Sequence, residues 1–165
     1  MTFWTLYDRL EWAIGLLTLT ATVVVVFVAA VGRTFGMPVT SAPQFAQLFL
    51  LWTCMFGADL AMKQGGHIRV SALTDLMPPR VQAALSLVHA ALMLAFLAFV
   101  AIHGWQLSLS NWERELGASG LSYGIVTIAV SVGAALLAVS VVRRLVTQGA
   151  AKALVADADV PEEIL

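Results

Sequence analysis

The chain has 165 residues, of which 60% are hydrophobic and 12% are charged, and its mean hydropathy is +0.88. Soluble domains carry about 25% charged residues, so this composition excludes an ordinary soluble fold and indicates apolar surface facing lipid or a partner subunit. The net charge of −1 argues against nucleic acid as a partner, and a single cysteine, Cys54, excludes an intrachain disulfide or a cysteine metal site.

Four long stretches lack lysine, arginine and glutamate, and each could cross a hydrocarbon core of about 30 Å as a helix. Helices are expected because backbone groups in lipid must be satisfied within their own segment. We therefore predict an all-α integral membrane protein with a four-helix membrane domain over residues 1–148. Its spans cover about residues 12–32, 45–62, 81–107 and 121–142.

Charged residues near the first two spans suggest two interpretations. Asp59 is the one acidic residue well inside a predicted span, which makes it a candidate functional residue by default. It could serve as the proton or cation site of a self-sufficient small transporter. The alternative is an intramembrane ion pair with Lys63, four residues later on the same helix. We interpret Glu11 as interfacial charge beside Asp8 and Arg9 at the entrance of the first span.

Two segments outside the spans have a recognisable pattern. Between the second and third spans, four apolar residues share one helical face, which favours a short amphipathic surface helix, although an irregular loop fits equally well: Val70, Leu73, Leu76 and Met77. Residues 149–165 are small and acidic, and they predict a mobile acidic cytoplasmic tail.

Lysine and arginine predict the orientation of the spans. Seven of these residues lie on the side that holds the two termini and the middle connection, and two, Arg33 and Arg114, lie on the other. The positive-inside rule therefore places both termini in the cytoplasm. Tryptophan and tyrosine occur near both ends of the spans, as expected of residues at a membrane interface.

Two histidines in the third span could indicate a haem. His89 and His103 are 14 residues apart, a spacing that places them on nearly one face, as in di-haem membrane cytochromes. Such a site needs four histidines, and the third histidine of the chain, His67, lies in a connection. A haem shared with another subunit, in a membrane anchor of a respiratory enzyme, stays open. Since no phosphate loop, nucleophile elbow or zinc signature occurs, we expect no enzyme and no resident cofactor or metal.

The region from Arg33 to Pro79 carries a family resemblance. It contains Arg-Thr-Phe-Gly from Arg33, a tryptophan followed by Phe-Gly-Ala at Phe56, and Gly-His-Ile-Arg-Val around His67, and it ends in Leu-Met-Pro. The pattern resembles the DctQ-like small membrane subunit of tripartite ATP-independent periplasmic (TRAP) transporters. The chain departs from that pattern at Gln44 and Gln47, where relatives often have acidic residues, and at Asp59, where many have alanine.

The resemblance implies a role in solute uptake. In such systems a periplasmic solute-binding protein delivers an organic acid, and a large permease subunit moves it with sodium across the bacterial inner membrane. The small subunit packs against the large one and supports its scaffold. The chain itself shows neither the internal repeats nor the broken helices of an alternating-access transporter, which agrees with an accessory role.

Three groups of residues become candidates on this basis. Trp52, Phe56 and Gly57 could form the face that meets the large subunit, or they could pack within this chain. Arg33 could bind lipid headgroups or dock the solute-binding protein, or it could be a simple interfacial anchor. His67 and Arg69 could fix the cytoplasmic connection or contact phospholipid. None of these residues is expected to be catalytic.

Overall fold

The computed structural model describes residues 3–63 and 78–148, which contain four long helices. They are α1 (Phe3–Thr34), α2 (Ala42–Lys63), α3 (Pro79–Ser110) and α4 (Gly124–Gln148). All four are long and apolar enough to cross a membrane, and the shortest, α2 with 22 residues, extends about 33 Å. The prediction of an all-α protein with four transmembrane helices is confirmed. The proposed amphipathic helix, His67, Arg69 and the acidic tail lie outside the described residues.

The helices pack as a row in the order α1, α2, α4, α3. The backbone of α2 lies beside both α1 and α4, and α4 lies beside both α2 and α3. In the described part of the chain, α1 and α3 therefore each have one backbone neighbour and form the two edges of the row. An open row buries few of its own side chains, so large apolar residues of α1 and α3, such as Phe27 and Leu92, are exposed.

Glycines allow close approach at three places along the row. Gly15 of α1 lies against Phe56 of α2, Gly133 of α4 lies against Met55 of α2, and Gly104 of α3 lies against Ser131 of α4. A Cβ atom on Gly133 would stand 2.6 Å from the Cβ atom of Met55, a separation that real Cβ atoms do not adopt. Small residues of this kind bring helix backbones together in lipid.

The α1–α2 connection begins with a left-handed glycine. Gly36 has φ of 74°, its amide donates to the carbonyl of Arg33 at 3.2 Å, and the amide of Met37 donates to the carbonyl of Gly32 at 2.8 Å. These two bonds form the Schellman motif, which satisfies carbonyls at the end of a helix and favours glycine at the left-handed position. The helix α1 therefore ends where its sequence leaves the predicted span.

The α3–α4 connection folds back on itself. Leu116 donates its amide to the carbonyl of Leu121, and Tyr123 donates to the carbonyl of Arg114, both at 2.7 Å. Leu116 is buried beside Leu48 of α2 and Val126 of α4. These bonds explain why α4 begins at Gly124 and not at residue 121, because residues 121 and 123 are paired with residues 116 and 114 of the same connection.

Candidate functional site

The most polar part of the described chain is one end of the row, where α1 begins and where α2 and α4 end. Side chains from α1, α2 and α4 meet there, and we call this group the charge cluster. It contains three carboxylates and three cations: Asp8, Glu11, Asp59, Lys63, Arg143 and Arg144. The opposite end of the row, formed by the α1–α2 and α3–α4 connections, is the loop end.

Lys63 is the centre of the charge cluster. Its Nζ atom lies 3.0 Å from a carboxylate oxygen of Asp59 and 3.2 Å from one of Asp8, and it also forms an ion pair with the carboxylate of Glu11. The ammonium group stands over the ring of Tyr7, with its nitrogen 4.3 Å from the ring centroid. Asp59 is fully buried, and Glu11 is almost fully buried. The ammonium group of Lys63 therefore offsets the negative charge of two carboxylates that would otherwise be isolated in a medium of low polarity.

The two arginines of α4 make it the third helix that contributes to the cluster, beside α1 and α2. Nη1 of Arg143 donates to both carboxylate oxygens of Asp8, at 2.9 and 3.1 Å, and the guanidinium lies 4.4 Å from the ring centroid of Trp4. Nη1 of Arg144 donates to the backbone carbonyl of Met62 at 2.6 Å. Carbonyls in the last turn of a helix lack a partner within the helix, so Arg144 supplies one to α2.

The charge cluster involves the part of α1 that precedes the predicted first span. That span was predicted to start near residue 12, and the described helix also includes the residues from Phe3 through Asp8 and Glu11. Charged residues in this extra part of α1 are tolerated since α2 and α4 provide their counter-charges. With all six groups ionised, the three carboxylates and three cations of the cluster balance.

A cleft of 840 Å³ opens beside the charge cluster between α1, α2 and α4. It is lined by residues of the charge cluster, by the polar residues Arg9 and Ser140, and by apolar side chains that include Trp12 and Leu60. The Oγ atom of Ser140 is buried and has no hydrogen-bond partner in the described part of the chain. A polar group with unused hydrogen-bonding capacity on the wall of a charged cleft can bind a polar ligand or water.

The structure separates the three residues proposed for the large-subunit face. Phe56 is buried, with its ring stacked on Trp52 at 5.8 Å between centroids, and Trp52 is half-buried beside the core group that contains Leu48. Gly57 is exposed, and an added Cβ atom would meet nothing within 4 Å. Phe56 therefore faces into this chain, and Gly57 faces away from it.

The other candidates lie apart from the cluster. Arg33 is exposed in the last turn of α1, at the loop end. Arg114 is exposed at the same end, in the α3–α4 connection, and its guanidinium stands 5.3 Å from the ring centroid of Tyr123. His89 and His103 are both exposed on α3, where His103 packs beside Phe99 with 4.2 Å between ring centroids. The two histidines thus point away from the other helices of the chain.

Sequence reasoning identified one part of the charge cluster and missed the rest. It anticipated that Asp59 and Lys63 could pair, and the structure brings them together. It interpreted Glu11 as interfacial charge, whereas the structure buries this residue at 4% exposure against Lys63. A signal was present, because the helix ends that carry Asp8, Lys63 and Arg143 were all predicted to lie on one side of the membrane.

Comparison with known proteins gives two matches. The sequence pattern of the family described as "Tripartite ATP-independent periplasmic transporters, DctQ component" matches residues 22–150. A protein of Haemophilus influenzae, provisionally named a TRAP transporter small permease protein, is 26% identical over 116 residues, which are 68% of this chain and 70% of that protein. The region matched by the family pattern includes α2, α3 and α4 and the last 13 of the 32 residues of α1.

Proposed function

Because the chain belongs to the family of DctQ components of tripartite ATP-independent periplasmic transporters, we propose that it is the small subunit of such a transporter and packs against a large permease subunit. In this role it enlarges the scaffold of the large subunit and holds it steady in the bilayer. The large subunit carries out sodium-coupled uptake of an organic acid, which a periplasmic solute-binding protein delivers.

The open row of helices is the observation that carries this proposal. In its most apolar stretch, α1 has 6% of its residues buried within the chain, and α3 has 17%. Even α2, which lies in the interior of the row, has an exposed face. Lipid alone can cover apolar side chains, but the row also leaves broad surfaces on which a larger membrane protein can pack.

We propose that the exposed face of α2 meets the large subunit. Its exposed residues recur every three or four positions and include polar and small side chains: Pro43, Gln47, Leu50, Cys54 and Gly57. Small residues are favoured where two helices approach closely in a membrane. Gly57 is then a contact residue, while Trp52 and Phe56 stabilise α2 by packing within this chain.

The positive-inside bias supports a position in the bacterial inner membrane with the charge cluster towards the cytoplasm. The loop end then faces the periplasm, where the solute-binding protein docks. Arg33, exposed at that end, is the candidate contact for lipid headgroups or for the solute-binding protein. His67 and Arg69 keep their proposed role in the cytoplasmic connection.

Copurification and reconstituted uptake test the proposed role. A tagged chain extracted in mild detergent is expected to retain a much larger, multi-span membrane protein, identified by mass spectrometry. Liposomes with both subunits and the solute-binding protein should accumulate solute under a sodium gradient, and liposomes that lack this chain should not. Full sodium-coupled uptake by the large subunit alone would overturn the accessory role.

A substitution at Gly57 tests the proposed interface. Gly57→Leu adds a side chain into open space, so the chain should fold normally, yet recovery of the large subunit should fall at least tenfold because the close approach is blocked. Ala98→Leu, at an exposed position on α3, is the matched control and should leave recovery unchanged. Equal recovery with both variants would place the interface elsewhere.

The alternative of a self-sufficient transporter depends on Asp59. In that case, purified chain alone in liposomes would transport, and Asp59→Asn would abolish the transport. An accessory subunit would show no transport alone, and the complex that contains the Asn variant would keep its uptake. The pairing of Asp59 with Lys63 favours the accessory role, because the carboxylate already has a counter-charge.

A further inference from the structure

Two adjoining cavities at the charged end of the row differ in chemistry. The first is the 840 Å³ cleft between α1, α2 and α4, which charged and polar side chains line on several sides. The second, of 590 Å³, is lined mainly by apolar residues of α4 and by Trp4. Arg143 and Thr147 line both cavities, so the two are neighbours at these residues. Together they offer a polar compartment next to an apolar one.

The polar compartment contains donors that the described part of the chain leaves without a partner. Arg9 lines the cleft, its side chain is exposed, and it has no ion-pair partner among residues 3–63 and 78–148. Ser140 contributes the buried, unpartnered hydroxyl on the same wall. A guanidinium and a hydroxyl are both suited to donate hydrogen bonds to an anionic oxygen.

With all groups ionised, the described residues of this region carry one excess positive charge. Arg9 adds one cation to the charge cluster, whose three carboxylates already match its other three cations. A ligand with one negative charge would balance the charge of these described residues. Trp4 and Trp12, which line the apolar and polar compartments respectively, are of the type that sits at the headgroup level of a bilayer.

We propose that the two cavities bind one anionic glycerophospholipid. The phosphodiester lies in the polar cleft, where Arg9 and Ser140 donate to its oxygens, and an acyl chain lies along the apolar cavity beside Val142 and Val146. Basic pockets between transmembrane helices bind lipid headgroups in this way. The bound lipid would fill the space between α1 and α4, which otherwise meet through side chains of the charge cluster.

Native mass spectrometry of the delipidated full chain, with phosphatidylglycerol or phosphatidylcholine added at equal concentration, tests the proposal. We expect phosphatidylglycerol to bind at least fivefold more tightly. Arg9→Gln should lower its affinity about fivefold, as expected for one basic residue near the membrane surface. Arg33→Gln, at the other end of the same helix, is the matched control and should bind phosphatidylglycerol as the natural chain does.

A second variant tests the acyl chain. Val146 is 80% exposed, so Val146→Trp should fold normally while it fills the apolar cavity. It should weaken long-chain phosphatidylglycerol and leave binding of glycerol phosphate, which has no acyl chain, unchanged. Equal affinity for both lipids, or full affinity in the Arg9→Gln variant, would overturn the proposal. So would a gain in phosphatidylglycerol binding when residues 149–165 are removed, because the acidic tail would then be the natural occupant of the cleft.

Discussion

The two ends of the helix row are held together by different forces. At the charged end, Lys63 joins α1 to α2 and Arg143 joins α1 to α4, through ion pairs. At the loop end, neutral groups join the helices: Leu116 packs beside α2 and α4, and the Ser108 hydroxyl of α3 donates to the carbonyl of Gly124 at 2.9 Å. The row is thus held by charge at one end and by apolar packing and hydrogen bonds of neutral groups at the other.

This difference shows how a helix with one backbone neighbour can keep its place. The helix α1 packs against α2 along the row, and in the described part of the chain the ion pairs of the charge cluster and the contact of Arg143 with Trp4 link it to α4 as well. Buried ion pairs add little net stability, but they strongly penalise arrangements that separate their members. The cluster therefore determines where α1 lies relative to α4 more than how tightly the row is held.

The largest expected effect comes from the centre of the cluster. Lys63→Met leaves Glu11 and Asp59 buried without their shared counter-charge, and it should lower the free energy of unfolding by about 3–5 kcal/mol. Unfolding in mixed detergent micelles measures this change. Adding Asp59→Asn to the variant should recover part of the loss, because one buried charge is then removed. A loss no larger than that of Arg33→Met would show that Glu11 and Asp59 do not depend on Lys63 for their counter-charge.

An intermediate effect is expected in the middle of the row, where neither charge nor loops contribute. Gly133→Ala forces its new methyl group against Met55 and should destabilise the chain by about 1–3 kcal/mol through overpacking. Gly57→Ala makes the same chemical change on the exposed face of α2 and should be neutral or slightly stabilising, because alanine favours helix. Thermal unfolding of the two variants in one detergent gives the comparison. Equal melting temperatures would contradict the close α2–α4 contact.

The smallest effects should differ between the ends in their dependence on salt. Asp8→Asn weakens a partly exposed ion pair, and Ser108→Ala removes a buried hydrogen bond, so each should cost about 1 kcal/mol. The cost of Asp8→Asn should shrink as salt is raised, since partly exposed charges are screened, whereas the cost of Ser108→Ala should stay constant. Unfolding at low and high salt measures both, and parallel behaviour would mean that the two ends are held alike.

Much of the fold could be predicted from the sequence, and less of the site. The four apolar stretches predicted four helices, and the spacing of Asp59 and Lys63 predicted that the two could pair, because both depend on neighbours along the chain. The contact of Arg143 with Asp8 joins residues 135 positions apart. No local pattern could predict it without knowledge of which helices are neighbours. For the same reason Phe56, whose sequence suggested a partner face, is found turned towards this chain.

The sequence by itself determined that this chain lies in a membrane as four helices, because in lipid only segments that satisfy their own backbone groups are stable. Its Gly36 also determined where α1 ends, through a left-handed turn that glycine favours. The tertiary structure decided the order α1, α2, α4, α3 and the glycine contacts that allow it. It also decided which charges share the cluster and where the cleft opens, because these depend on distances between helices that are remote in sequence.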